Sequence, residues 1–309
     1  MNRTIKPVLR STKFLALRVK AKLLTMLFSG GSEFEIAFLV GCGRSGTTIL
    51  GQILSSNPRV SYLNEPYHFW AEINPETDVT GLFGRRTAKY FMSADDVSPL
   101  ARKKFAALFG GTSSKSQLMV EKTPHNACRV GFLQQLNARA KYVNIVRNGL
   151  LVVRSIKVAA EENEYRLLHK PKYNPWWGDD GARWENLIAG CPSEYCSDEI
   201  SVLHSNSQRA AFEWLVNVRE FELRSAELGD NQLTITYQEL TESSERTLAE
   251  VCDFLSVEYK DSWLEDQKAR LRPERSVDKA SRLDLPPSLC DMFNNAQEKY
   301  GFEGRAKKL

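Results

Sequence analysis

The stretch EIAFLVGCGRSGTTILGQILSS, residues 35–56, decides how the rest of the chain reads. It opens as a short apolar run with Ile, Phe and Val, the composition of a buried strand. The turn Gly41-Cys42-Gly43-Arg44-Ser45-Gly46-Thr47-Thr48 follows. Ile49, Leu50, Ile53 and Leu54 then recur at helical spacing until Asn57-Pro58 stops them. Glycines let a backbone fold around an oxyanion, and a helix N-terminus offers it free N–H groups and a positive dipole end. Strand, glycine turn and helix together predict an anion-binding loop.

The glycine spacing is that of G-x-x-x-x-G, but Thr47 stands where a nucleotide triphosphatase carries lysine. That lysine reaches the β/γ-phosphates, so a magnesium-triphosphate enzyme would lack its main electrophile here. Arg44 supplies a different cation, and Ser45, Thr47 and Thr48 supply hydroxyl donors. The loop suits a compact, phosphosulfate-sized anion better than a triphosphate.

Working outward, SQLMVEK (116–122), AKYVNIV (140–146) and LTITY (233–237) are three further short apolar runs, each leading into polar residues and a helical pattern. Strands alternating with helices predict an α/β chain: a P-loop-like three-layer fold with a central, mainly parallel sheet flanked by helices. In such sheets ligands sit at the carboxyl ends of the strands. Directly after YVNIV comes Arg147-Asn148-Gly149-Leu150-Leu151-Val152-Val153-Arg154-Ser155. A cation at a strand end and a hydroxyl two turns into the next helix can converge on one phosphate, and arginine offers it bidentate donors. Residues 161–208, rich in Trp, Gly and Pro, read as an insertion with little regular structure. Trp176, Trp177 and Trp184 so close together make it either an acceptor-side lid or a surface loop cluster.

Composition narrows the class. The 309 residues are 42% hydrophobic and 26% charged, an ordinary globular mixture and not a disordered one. No stretch is apolar and long enough for a membrane span. Seven of the 42 cations, Arg3, Lys6, Arg10, Lys13, Arg18, Lys20 and Lys22, lie in the first 32 residues with no acid among them. The body therefore carries 35 basic against 38 acidic side chains, so the net charge of +4 belongs to the arm. A nucleic-acid partner is not expected, because such binders carry their basic charge on the folded domain. Residues 1–32 read as a basic arm or helix, with the catalytic domain spanning 33–309. In the arm, Leu15, Val19, Leu23, Met26 and Leu27 share one side while Phe14, Leu17, Leu24 and Phe28 fall elsewhere, an imperfect amphipathicity. Such a helix either rests on an anionic membrane surface or packs on its own domain or a second subunit. The six cysteines form no disulfide framework, and Cys191 and Cys196 lack partners at metal-ligand spacing, so a cytoplasmic protein is expected, with peripheral membrane contact as an option.

GRSGTT after the first strand, with R-x7-S after a later one, resembles the sulfotransferases that use 3′-phosphoadenosine 5′-phosphosulfate (PAPS). The resemblance covers roughly residues 35–260. It implies that Gly43, Arg44, Ser45, Gly46, Thr47 and Thr48 bind the 5′-phosphosulfate, and that Arg147 and Ser155 bind the 3′-phosphate. YLNEPYHFW places Glu65 where it resembles the catalytic glutamate of tyrosylprotein and many bacterial sulfotransferases. Val120-Glu121-Lys122-Thr123-Pro124 resembles the bacterial EKTP segment, whose lysine faces the sulfuryl group. Thr236-Tyr237-Gln238-Glu239-Leu240 resembles the element whose tyrosine lies near the adenine, with Gln238 in place of the usual acid. PERSVDKASR resembles the stretch that closes over the nucleotide, which adds Ser276 and Lys279, although an ordinary basic loop reads equally well.

The chemistry implied is transfer of a sulfuryl group from PAPS to a hydroxyl or amine, releasing 3′,5′-ADP, with no metal. Glu65 is the expected base, with Lys122 and Arg44 stabilising charge on the sulfuryl and bridging oxygens. His125, one residue beyond the K-T-H position of small-molecule sulfotransferases, and His68 are rival bases. A surface salt bridge is the plain alternative for Lys122. The acceptor stays open among carbohydrate, glycolipid, peptide and small metabolite. Two other classes compete, a P-loop kinase or NTP-dependent switch and a non-catalytic nucleotide binder.

Overall fold

A computed structural model describes residues 5–28, 34–111, 117–161, 173–174, 176–195, 197–273 and 282–309. Five strands form one sheet: β1 (Glu35–Val40), β2 (Val60–Asn64), β3 (Leu118–Lys122), β4 (Lys141–Val146) and β5 (Gln232–Thr236). Their spatial order is β2-β3-β1-β4-β5, and every pairing is parallel. Parallel neighbours need crossover connections. Around the sheet lie, among others, α1 (Ile5–Leu27), α2 (Thr47–Leu54), α3 (Tyr67–Ile73), α4 (Gly149–Glu161), α5 (Ala182–Ala189), α6 (Asn206–Leu228), α7 (Tyr237–Glu242), α8 (Ser244–Leu255) and α9 (Pro287–Lys299), with further short helices and turns between them.

The sheet is covered on both faces, which is why β1 reads as a continuous apolar run. Ile36, Phe38 and Val40 join Trp70, Phe105, Phe109 and Phe132 on one side. Ala37 and Leu39 join Leu50 and Ile53 of α2 and Leu248 and Val251 of α8 on the other. This is the three-layer P-loop-like α/β fold that the strand and helix pattern predicts. One strand has no counterpart in the sequence reading. VSYLN, β2, is an edge strand paired only with β3, and four of its five residues are not buried. Ser61 and Asn64 break up its apolar residues, so no apolar run marks it.

The segment 161–208 is more regular than expected. It holds the last residue of α4, a two-stranded hairpin pairing residues 173–174 with 178–179, the whole of α5 and the start of α6. Trp177 and Trp184 are core residues packed edge to face with ring centroids 5.9 Å apart. Only Trp176 of the three faces the cleft described below.

The helix α1 packs on the domain, across α3. Ala21 is fully buried, Leu24 rests against the aromatic cluster under the sheet, and the Phe14 ring meets Phe83 edge-on at 5.9 Å. Among the described cysteines, Cys42, Cys128, Cys252 and Cys290 are buried free thiols and Cys191 is half-buried. The pairing of Cys191 with Cys196 lies outside the described residues.

Candidate functional site

The carboxyl ends of all five strands meet one cleft of about 560 Å³. Its floor is the glycine turn after β1, which the backbone holds in conformations open mainly to glycine. Gly41 has φ 129° and Gly46 φ 103°, while Arg44 sits at φ 73° despite its side chain. Space forbids larger residues as well. A Cβ on Gly41 would lie 2.4 Å from the Ile145 carbonyl oxygen, and one on Gly46 would lie 2.4 Å from the Tyr237 ring. Gly46 caps the first turn of α2, and its carbonyl accepts from the Leu50 N–H at 3.2 Å. The Gly41 N–H donates to the Pro124 carbonyl at 3.2 Å, tying the turn to the segment after β3.

On the β4–β5 side, the Arg147 guanidinium stacks over the Tyr237 ring at 4.6 Å and its Nη1 donates to the Arg44 carbonyl at 3.0 Å. Arg44 Nε donates in turn to Ser155 Oγ at 2.9 Å. The arginine and serine of R-x7-S are thus joined through the glycine turn. The strand end beneath them is fixed: Trp214 Nε1 donates to the Arg147 carbonyl at 2.9 Å, and the Gly149 N–H donates to Gln297 Oε1 at 2.7 Å.

On the β2–β3 side, Lys122 is the last residue of β3 and Glu65 is the first after β2. The register sets Asn64 beside Lys122, and the Glu65 N–H donates to the Lys122 carbonyl at 2.7 Å. Glu65 takes φ 48°, a left-handed turn that swings its side chain back over the strand end. Lys122 Nζ donates to Glu65 Oε1 at 2.5 Å, with the lysine 1% exposed. A surface salt bridge does not describe a lysine so deeply buried. An ammonium has three donors, so one given to Glu65 leaves two directed elsewhere.

The rival bases do not line the cleft. His125 is buried, stacked on Tyr67 at 5.8 Å, and neither ring nitrogen finds a partner among the described residues. Burial, reinforced by Arg129 and Arg183, pushes its pKa well below the ordinary range. His68 is half-buried on α3, and burial with the Lys20 charge nearby lowers it to about 4. Both rings are neutral at pH 7.

A third wall was not legible in the sequence. Glu213 of α6 is fully buried and accepts from Arg183 of α5, from Tyr90 Oη at 3.0 Å and from Trp176 Nε1 at 2.7 Å. The Arg183 guanidinium stacks on the Trp176 ring at 4.7 Å. That ring covers Gly43, where an added Cβ would meet it at 2.5 Å. The tryptophan cluster marked Trp176, but no motif marks an arginine and a glutamate on separate helices.

Gly43, Arg44, Gly46, Thr47, Thr48, Glu65, Lys122, Arg147, Ser155 and Tyr237 all line the cleft, with Phe14, Thr80, Trp176 and Arg183 added to them. Ser45 lies behind the turn, buried, its Oγ without a partner among the described residues. Ser276 and Lys279 lie outside the described residues. Four of the lining residues are cations and one, Glu65, is an acid, so the cleft suits a polyanion of nucleotide size. Among the described residues no group of three His, Cys, Asp or Glu side chains could hold a metal ion.

A profile described as the Sulfotransferase family matches residues 37–261. No match is found among curated proteins. Among solved structures the chain is similar to the sulfotransferase domain of the Synechococcus PCC 7002 olefin synthase, with TM-score 0.52 and 16% identity over 90% of this chain and 99% of that one. The sulfotransferase domain from the curacin biosynthetic pathway gives TM-score 0.51 and 16% identity over 88% and 99%. The sulfotransferase STF9 from Mycobacterium avium gives 0.51 and 10% identity over 90% and 79%. At such identities the likeness is one of fold. With Thr47 in place of the phosphate-binding lysine, the kinase reading is not favoured.

Proposed function

The chain belongs to the sulfotransferase family, and from that membership we propose that its donor is PAPS, its product 3′,5′-ADP, and its base Glu65. One observation carries the reading: Glu65 and Lys122, 57 residues apart in sequence, are held 2.5 Å apart at adjacent strand ends beside the glycine turn. The residues fit the nucleotide. Arg44, Lys122, Arg147 and Arg183 face the cleft with Glu65 as its one acid, and the glycine turn opens α2 towards it. Arg147 and Ser155 would hold the 3′-phosphate, the glycine turn the 5′-phosphosulfate, and Tyr237 the adenine.

When bound, PAPS supplies an activated sulfuryl group on a phosphate leaving group. The Glu65 carboxylate accepts the proton of the acceptor hydroxyl or amine as it attacks, at hydrogen-bond range. Lys122, fixed by that same carboxylate, would offer its remaining donors to the sulfuryl and bridging oxygens. Arg44 adds charge from the turn. These side chains meet charge that develops during transfer. With Arg44, Lys122, Arg147 and Arg183 lining the cleft, the chemistry asks for no metal ion. Residues 33–309 form the sulfotransferase domain in this reading.

The test is label transfer from sulfur-labelled PAPS to a panel of carbohydrate, glycolipid, peptide and small-metabolite acceptors. Wild type labels at least one class. Glu65→Gln lowers its turnover about a hundred- to ten-thousandfold, the usual worth of a positioned base. Near-normal turnover by that variant removes Glu65 from the role.

A further inference from the structure

The helix α1 has two apolar faces, and only one is covered. Phe14, Leu17, Ala21 and Leu24 follow one another at helical spacing and turn inward: Ala21 is buried and the other three are half-buried. Leu15, Val19, Leu23 and Met26 run along the opposite side, and with Leu27 they are between 50% and 75% exposed. Large apolar side chains are seldom left in so long a row on a soluble surface without a partner. Lys13, Arg18, Lys20 and Lys22 are exposed and flank the bare row on both sides. The sequence from residue 1 to residue 32 contains no acid.

We propose that this outer face of α1 rests on an anionic lipid bilayer and that the acceptor is presented from that bilayer. An apolar stripe edged by cations on a helix that cannot span is the form taken by helices lying in a membrane interface. No helix among the described residues is long and apolar enough to cross one. Charge chooses between the available occupants. A second copy docking stripe to stripe would set the flanking cations of both chains against each other, with no acid in either arm to offset them. Anionic headgroups complement them.

Position links the surface to the cleft. Phe14, from the inner face of α1, is part of the cleft wall together with Leu82 and Thr80. Arg18 Nη1 donates to the Phe83 carbonyl at 3.4 Å, holding the helix against that wall. A helix is roughly 10 Å across, so a bilayer on its outer face lies about one helix diameter from the wall. The second half of the proposal, that the acceptor is a membrane-borne hydroxyl or amine, rests on the sulfotransferase reading. The first half does not.

Cosedimentation of the full chain with vesicles separates the two. Phosphatidylcholine vesicles containing an equal part of phosphatidylglycerol should bind the wild type about tenfold or more better than pure phosphatidylcholine, with binding weakened by salt. The variant Leu23→Glu/Met26→Glu changes two exposed positions away from the cleft. It should lose that binding about tenfold while titrating with 3′,5′-ADP as the wild type does, which reports that it is folded. Equal binding by variant and wild type overturns the membrane surface. So does a wild-type dimer in sedimentation velocity that the variant dissolves. A wild type that binds vesicles but not 3′,5′-ADP keeps the surface and removes the sulfotransferase reading of the cleft. For the acceptor, sulfur label offered together with extracted membrane lipids should enter the organic phase. Label confined to water-soluble acceptors overturns that half.

Discussion

The two ends of the row of strand termini are built differently. At the β4–β5 end, Arg147 and Tyr237 each follow their strand directly, Ser155 stands two turns into α4, and each leans on a neighbour: Arg147 on Tyr237 and on the Arg44 carbonyl, Ser155 on Arg44. At the β2–β3 end, Glu65 and Lys122 meet as an ion pair across adjacent strand ends, through a left-handed turn at Glu65. The first end is a set of donors arranged for anions that arrive with their charge. In the proposed reading the second opposes a base and a cation, an arrangement that acts while a proton and a sulfuryl group move. Binding and chemistry are therefore separable along the row.

That separation can be broken at either end. The largest effect is expected for Glu65→Gln, whose turnover falls about a hundred- to ten-thousandfold while its affinity for 3′,5′-ADP matches the wild type. A matching loss of affinity would erase the distinction. Next is the wall shared by both ends. Glu213→Gln leaves Arg183 charged and buried without its partner, so unfolding in denaturant should show a loss of about 3–5 kcal/mol, and the cover over Gly43 should loosen. Arg147→Ala comes third. It removes charge-assisted hydrogen bonds worth about 1.5–3 kcal/mol and should weaken 3′,5′-ADP roughly ten- to hundredfold.

The most gradual effect is read by pH. Glu121, between Val120 and Lys122 on β3, is fully buried, and burial raises it from the ordinary 4.5 to about 7, against hydrogen bonds from Thr123, Trp70 and Asn126. In that window the folded chain keeps a proton the unfolded chain has released. Stability therefore falls as pH rises through it, by at most about 1.4 kcal/mol per pH unit. Glu121→Gln keeps the shape and removes this contribution, so the difference in unfolding free energy between variant and wild type should change with pH between those values and level off above them. A constant difference would mean that Glu121 is ionised throughout.

The same contrast explains what the sequence discloses. Strands β1, β3 and β4 announce themselves because they are buried between both layers, β5 is a half-exposed edge that shows itself through its β-branched run LTITY, and the glycine turn and R-x7-S sit within single strand–turn–helix units whose spacing survives in one dimension. Glu65 is visible only by resemblance, because VSYLN before it, interrupted by Ser61 and Asn64, carries no apolar run. The Arg183–Glu213–Trp176 wall is invisible, since it exists only after α5 and α6 have packed. The arm looked poorly amphipathic for a simple reason: α1 carries two apolar faces, and a single-face pattern cannot describe both.

Calorimetric titration of 3′,5′-ADP into wild type, Arg147→Ala and Glu65→Gln, with Mg-ATP in parallel, tests the central claim most directly. The bisphosphate should bind the wild type and Glu65→Gln alike, bind Arg147→Ala roughly ten- to hundredfold more weakly, and be preferred to Mg-ATP. Preference for Mg-ATP, or indifference to the loss of Arg147, would contradict the assignment of this cleft to PAPS.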